Sequence, residues 1–265
     1  LPVEKRDDNE YELEFRDVSF AYPGTEKKIL DHVSFKFKVG SKLALVGKNG
    51  AGKTTFIKLL CRLYDPTEGQ ILLNGIDIKK YDYQEYQSLF SVVFQDFKLF
   101  SFELGQNVAA SVDYEEERVW DSLDKAGIGD RVRRMKEGLQ TVLYQAGDDG
   151  VEISGGEAQK IAIARALYKD APVIILDEPT RGIDVGAAEM IRKTIVKKSR
   201  EEGTATLLIS ADLNEVLECS DRLIVMRKGK IVAAFPKANE VSESELGEYM
   251  LGLKAMTAEQ MGGLL

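Results

Sequence analysis

A buried strand that feeds a glycine-rich turn and then a helix is the feature of this chain that most restricts its fold. Leu43-Ala44-Leu45-Val46 is a continuous apolar run between Gly40 and Gly47. Such a run reads as a parallel strand covered on both faces. Gly47-Lys48-Asn49-Gly50-Ala51-Gly52-Lys53-Thr54 follows and matches G-x-x-x-x-G-K-[ST]. The pattern then predicts a helix over 53–62. In this context Gly47, Gly50 and Gly52 let backbone N–H groups turn inward around phosphates. The helix start adds its partial positive charge. Lys53 is expected to reach the β- and γ-phosphates and the Thr54 hydroxyl to meet Mg²⁺, with Asn49 and Thr55 completing the binding set.

A second signal is Val173-Ile174-Ile175-Leu176 ending in Asp177-Glu178. A carboxylate at the tip of a buried strand can hold Mg²⁺, and a second beside it can polarise an attacking water. A third is Ser154-Gly155-Gly156-Glu157, which opens a helix and so offers another anion-binding helix start. One nucleotide needs two such helix ends only if two subunits share it.

Composition narrows the partners. The net charge is −8, whereas duplex-binding proteins show a basic footprint. The phosphate loop explains how an acidic chain can still bind a polyanion, because its field is local. A single His excludes a His-rich metal site, and the two cysteines, Cys61 and Cys219, read as buried thiols in a reducing cytosol rather than a disulfide framework. No run approaches the roughly 18 apolar residues of a membrane span. The start LPVEKRDDNE has no apolar core and reads as no signal peptide. With no initiator Met, the reading expects a processed product or a piece of something longer.

Along the chain, residues 1–10 read as a linker. Partly alternating segments over 12–20 and 33–37 read as antiparallel strands, with a turn at Pro23-Gly24. Further strands are expected at 71–73, 91–94, 173–176, 204–209, 222–227 and 230–234. Helices are expected near 83–89, through most of 103–145, and at 155–168, 187–200 and 213–219. A last helix starts near 243, where Ser242-x-x-Glu245 is a capping-box candidate. Trp120 reads as core, Lys197-Lys198-Ser199-Arg200 as a solvated helix end, His32 as structural, and 251–265 as a tail. Strands alternating with helices indicate an α/β parallel sheet, with an antiparallel layer in front and a helical insertion.

These three signals, in this order, resemble the nucleotide-binding domain of ATP-binding-cassette (ABC) transporters over about residues 11–250. The resemblance implies a P-loop NTPase fold with a RecA-like parallel core, an N-terminal antiparallel β subdomain and a helical subdomain over about 97–168. It implies that Tyr22, in FAYPG, stacks on adenine. Gln95, in VVFQDFKLF, becomes a Mg²⁺ ligand that also contacts the water. Glu178 becomes the catalytic base, with Lys53 and Gln95 beside it; Thr54, Gln95 and Asp177 become the metal ligands. Asp184 is placed where a carboxylate crosses to the second subunit, and Ala146-Gly147-Asp148-Asp149 where the segment faces transmembrane coupling helices. The implied partners are a second nucleotide-binding domain and a transmembrane domain. The implied location is the cytoplasmic face of a membrane. No nucleic-acid partner is expected.

The two halves resemble different branches. Phrases up to about Thr180, such as CRLYDPTEGQILLNGIDI, are similar to exporters. Arg181-Gly182-Ile183-Asp184-Val185-Gly186-Ala187 and LLISADLNEVLECSDRLIVMRKGKIV are similar to ATPases of simple-sugar and nucleoside importers. The reading is of a hybrid joined near Asp177-Glu178-Pro179-Thr180, natural or made.

One departure bears on mechanism. Most of the family has a His after the strand at 204–209, where it touches the γ-phosphate. This chain reads Leu208-Ile209-Ser210-Ala211. Ala211 has no side-chain donor, and Ser210 is expected on the opposite face of the strand. Losing one donor to a developing charge costs on the order of 10²–10³ in rate. The expectation is ATP binding with slow hydrolysis at a head-to-tail dimer interface. The alternative is a hydrolysis-poor, nucleotide-gated dimerisation module.

Overall fold

The computed structural model describes residues 1–3, 11–38, 40–144 and 151–262. Most of the expected linker 1–10, the segment Ala146-Gly147-Asp148-Asp149 and the last residues of the tail lie outside the described residues.

Two sheets carry the fold. The first is antiparallel, with order β2-β1-β4-β5, built from β1 (Glu12–Phe20), β2 (Leu30–Lys38), β4 (Glu68–Leu73) and β5 (Ile76–Asp77). β1 and β2 bury alternate side chains over much of their length, as a half-covered sheet requires. The two-residue β5 had no counterpart in the sequence reading. Its pairing with β4 depends on the turn at Asn74-Gly75, where both residues have positive φ.

The second sheet has order β10-β9-β3-β8-β7-β6. β3 (Lys42–Val46), β6 (Phe90–Val93), β7 (Val173–Asp177), β8 (Ala205–Ile209) and β9 (Arg222–Arg227) run parallel, and β10 (Lys230–Phe235) pairs antiparallel with β9. β3, β7 and β8 are buried at every position, as expected of strands covered on both faces.

Helix α1 (Lys53–Leu60) packs between the sheets, where Phe56 stacks on Phe15 with ring centroids 4.3 Å apart. α2 (Tyr83–Ser88) leads into β6. The middle of the chain forms α3 (Leu104–Ala109), α4 (Glu116–Lys125), α5 (Gly129–Arg133) and the long α6 (Gly155–Lys169). These helices share a second core with α7 (Val185–Glu202) and the outer side of β7. α8 (Leu213–Cys219), α9 (Glu243–Leu251) and β9–β10 enclose a third core, onto which Met256 of the tail packs. A short α10 (Ala258–Gly262) follows.

Two local expectations are corrected and a third is refined. Trp120 packs against the second core as expected but is only partly buried, and the guanidinium of Arg133 lies 4.8 Å from its ring centroid. Lys198 and Ser199 are buried rather than solvated. Lys198 Nζ reaches Asp170 at 2.6 Å and Glu202 at 2.5 Å, so its charge enters the interior with partners. Ser242 accepts from the Glu245 amide at 3.2 Å as a plain N-cap. The complete capping box is at Ser154 and Glu157 instead. Cys61 and Cys219 are buried free thiols, and burial pushes both up to about 12.

Candidate active site

The parallel strands bring their C-terminal ends to one edge, where ligands bind in sheets of this class. Register fixes the alignment: Leu45 pairs with Ile209, Asp177 with Ile209, Val93 with Leu176, and Val46 with Val225. Gly47, Asp177-Glu178, Ser210-Ala211 and Gln95 therefore emerge side by side from four strands far apart in sequence.

The loop after β3 needs its glycines at two points. A Cβ at Gly47 would lie 2.5 Å from the Met226 carbonyl oxygen. Gly52 has φ +106, and a Cβ there would meet Leu30 at 2.9 Å. Gly52 is also the N-cap of α1, and no side chain caps that helix. Its first amides are thus left for an anion. Asn49 and Gly50 lie exposed at the tip. Lys53 Nζ folds over the loop and donates to the carbonyls of Gly47 at 2.6 Å and Lys48 at 3.1 Å. Burial pulls the Lys53 pKa down, opposed by Glu178 and Asp177.

Thr54 Oγ1 donates to Asp177 Oδ2 at 3.1 Å. Burial pushes the Asp177 carboxyl up, and the Thr54 hydrogen bond and Lys53 only partly offset this. A hydroxyl and a carboxylate joined at the loop mouth are hard oxygen donors and fit Mg²⁺, which binds through one or two carboxylates plus substrate phosphates. No group of three His, Cys, Asp or Glu able to hold a metal occurs among the described residues, so any such ion would depend on the nucleotide as well.

Glu178 has φ +55, uncommon for a side chain of its size. Its amide donates to the Ile209 carbonyl at 2.7 Å, and its Oε2 accepts from the Ala211 amide at 3.1 Å. The carboxylate is held by backbone at the position where the resemblance places a His. Ser210 is buried and Ala211 exposed, the opposite-face arrangement expected. Gln95 is exposed just past β6 at the same edge.

Tyr22 hydrogen-bonds Thr55 Oγ1 at 3.0 Å and meets Phe20 and Tyr64 edge-on. Lys58 Nζ lies 5.9 Å from its ring centroid. The ring is thereby fixed beside the first turn of α1.

The structure does not bring the remaining expected residues to this loop. Ser154 caps α6 with Gly155 and Gly156 in its first turn. A Cβ at Gly156 would meet the Gly182 carbonyl oxygen and Ile183 at 3.5 Å, whereas the surroundings of Gly52 are Ile29, Leu30 and Met226. Asp184 caps α7, accepting from the Ala187 amide at 2.8 Å, and Lys160 Nζ of α6 reaches it at 3.5 Å. That amide is the main influence holding Asp184 below the ordinary carboxylate range; burial opposes it, and Lys160 adds to the lowering. The sequence reading missed Lys160, although its place one turn into α6 was a usable signal.

A groove of about 650 Å³ lies away from the loop, between β6, α4 and the end of α6, lined in part by Gln87, Val92, Phe94, Arg118, Arg165 and Lys169. Beside it Phe100, Phe102 and Val112 are exposed. No helix among the described residues is long and apolar enough to cross a membrane.

The chain is 41% identical over 221 residues to the ATP-dependent lipid A-core flippase of Burkholderia orbicola (strain AU 1054), covering 83% of this chain and 36% of that protein. It is 34% identical over 227 residues to the mitochondrial iron-sulfur clusters transporter ATM1 of Candida glabrata, covering 85% of this chain and 30% of that protein. A solved bacterial Atm1-family ABC exporter with ATP bound superposes with a TM-score of 0.83 at 30% identity, over 95% of this chain and 43% of that one. The chain thus spans roughly a third of these curated relatives. Alignment to the flippase of Cupriavidus metallidurans, 36% identical, covers 93% of this chain and 41% of that protein. It runs through the junction expected near Thr180, so neither the hybrid reading nor the importer resemblance finds support: exporter-type relatives account for both halves. The ABC transporter profile matches residues 30–181, from the start of β2 through the loop, the Ser154 helix and Asp177-Glu178. The chain belongs to the ABC transporter family.

Proposed function

We propose that this chain is the ATP-hydrolysing domain of an exporter-type ABC transporter, with residues 11–250 as the cassette and 97–168 as its helical subdomain. The observation that carries this reading is the meeting, at one sheet edge, of the phosphate loop, the Thr54–Asp177 pair and a Glu178 carboxylate held by the Ala211 amide. Uncapped amides of α1 and Lys53 bind the phosphates of ATP, and Tyr22 stacks on its base. Lys53 must leave the Gly47 and Lys48 carbonyls to do so, and a phosphate offers it a stronger, charge-assisted partner. Glu178 orients a water in line with the γ-phosphate and takes its proton at a carboxylate oxygen. Thr54, Asp177 and Gln95 would hold Mg²⁺, which supplies charge neutralisation at the phosphate oxygens when bound.

The site is completed by a second copy or a related cassette. Ser154, Gly155 and Gly156 lie on a different lobe from the loop of their own chain, and a Cβ at Gly155 would meet nothing within 4 Å. This fits a head-to-tail dimer in which each Ser154 helix start faces the partner's nucleotide, with Asp184 beside it. The groove lined by Arg118, Arg165 and Lys169, with exposed Phe100 and Phe102, supports a reading in which a transmembrane domain docks there and the chain works at the cytoplasmic face of a membrane. A hydrolysis-poor module is disfavoured because Glu178 is present and held. Phosphate release by the chain with Mg-ATP, compared with Glu178→Gln, tests the proposal. The expected result is slow release that the Gln variant abolishes while retaining ATP binding. Equal release from both would sink it.

A further inference from the structure

Beside the Glu178–Ala211 contact lies a carboxyl that the reading above leaves unused. Glu215, in the first turn of α8, is fully buried at 0% exposure. Carboxylates are almost never fully buried unless paired. The Ser210 and Thr180 hydroxyls face it, Arg192 of α7 is the cation that favours its charged form, and Asp212 opposes that form. Arg192 is itself engaged with Glu218 at 3.3 Å. Burial pushes the Glu215 carboxyl up more than Ser210 and Thr180 hold it down. Neither Oε1 nor Oε2 makes a hydrogen bond of good geometry in this state.

The two hydroxyls it faces belong to the two segments that set where Glu178 points. Thr180 follows Glu178 by two positions, and Ser210 directly precedes Ala211, whose amide holds the Glu178 carboxylate. Ser210 Oγ already accepts from the Asp212 amide at 3.1 Å, so its own proton is the one free to be donated. A buried acceptor close to two donors, but not bonded to them, gains most if a small movement closes both gaps.

We propose that Glu215 is a positioning residue for hydrolysis: by accepting from Ser210 and Thr180 as the nucleotide site closes, it locks the Ala211 amide and the Thr180 segment around Glu178. This rests on the ATPase reading above. Glu215 touches neither nucleotide nor water and acts only through the placement of Glu178. A carboxyl that merely filled the α7–α8 interface would affect stability without separating kcat from KM.

The test uses the full chain with Glu215→Ala, Glu215→Gln and a Thr180→Val/Ser210→Ala double variant. For each, the melting temperature, KM for ATP and kcat for phosphate release are measured. Glu215→Ala is expected to lose about 10- to 100-fold in kcat with KM unchanged, the scale of a misplaced catalytic group. Glu215→Gln, whose amide oxygen still accepts, is expected to stay near the wild-type kcat. The double variant is expected to match Glu215→Ala, which keeps the proposal open to refutation if the Ala variant does not fold. A Glu215→Ala or double variant with wild-type kcat overturns it. So does a fall in kcat that only tracks a lowered melting temperature in both Ala and Gln variants. Wild-type release no greater than that of Glu178→Gln overturns the ATPase reading as well, whereas wild-type release with an unchanged Glu215→Ala overturns this proposal alone.

Discussion

The backbone amide of Ala211 donates to Oε2 of Glu178 at 3.1 Å, so the residue lacking a side-chain donor still orients the carboxylate beside the phosphate loop. The contact joins the ends of β7 and β8, which pair from Val173–Ala205 to Asp177–Ile209. Its rigidity comes from the sheet, because the Glu178 amide is also tied to the Ile209 carbonyl. What Ala211 cannot do is extend a donor onto the phosphate itself.

Restoring that donor should speed the reaction. Ala211 is exposed, and a His there keeps the backbone amide that serves Glu178. Ala211→His is expected to raise kcat by at least about 10-fold with little change in KM, since one donor aimed at developing charge is worth 10²–10³ in optimised sites. Steady-state phosphate release at saturating ATP decides, and an unchanged kcat would show that the missing side chain does not limit turnover.

Asp177 trades stability for chemistry. Burial, its largest influence, raises its pKa in the folded chain. A carboxyl with a raised folded pKa stabilises the fold fully below the unfolded value of about 3.9 and loses that contribution as pH rises through the folded value. At neutral pH the buried charge is therefore a liability. Asp177→Asn, which can still accept from Thr54, is expected to raise the nucleotide-free melting temperature by a few degrees while abolishing Mg²⁺-dependent hydrolysis. The stability gain should vanish at low pH. A thermal-denaturation series against pH checks both the sign and the window.

At Tyr22 the ring and the hydroxyl have separable roles. Tyr22→Ala is expected to weaken ATP binding by about 1–3 kcal/mol, the value of one base–aromatic stack. Tyr22→Phe keeps the ring but loses the bond to Thr55, costing about 0.5–1.5 kcal/mol of stability with affinity retained. Calorimetric titration of both variants separates the two, and equal affinities for Ala and Phe would argue against stacking.

Gly155 isolates the role of the second subunit. A Cβ there meets nothing within 4 Å and the residue does not have a positive φ, so Gly155→Ala is expected to leave the melting temperature unchanged. If the glycine faces a partner's nucleotide, the same variant should weaken ATP-dependent dimerisation and reduce turnover. Sedimentation with and without nucleotide in a Glu178→Gln background measures this. Ser154→Ala is the contrasting case: it removes the cap on the Glu157 amide at 3.1 Å, so about 1 kcal/mol of stability should go with it.

How much of the site could be read in advance depended on the range of the forces involved. The phosphate loop was legible because its constraint is local. Gly47 and Gly52 are required by close backbone approach and a left-handed turn, and β3 announces itself by an unbroken apolar run. The Lys197–Arg200 run was misjudged for the opposite reason. Helix periodicity places four polar residues near a helix end, yet Lys198 turns inward because Asp170, from the end of α6, waits there. Glu215 carried a faint signal: it shares a face of α8 with buried Cys219 one turn later. Nothing local could say that a carboxyl on that face would be enclosed.

By itself, the sequence determined which groups were available: the glycines and Lys53 of the loop, the Asp177-Glu178 pair, the Ser154 helix start, and an alanine where the family resemblance places a His. Only the tertiary structure decided which of them meet. Parallel register sets Glu178 against the Ala211 amide and Thr54 against Asp177, while Ser154 caps α6 and Asp184 caps α7, where Lys160 of α6 reaches it. The division has a physical cause. Turn chemistry and hydrophobic period act over a few residues and are written locally, whereas strand order and the desolvation of a buried charge depend on segments far apart in sequence, and exist only once the sheet and its covering helices have closed.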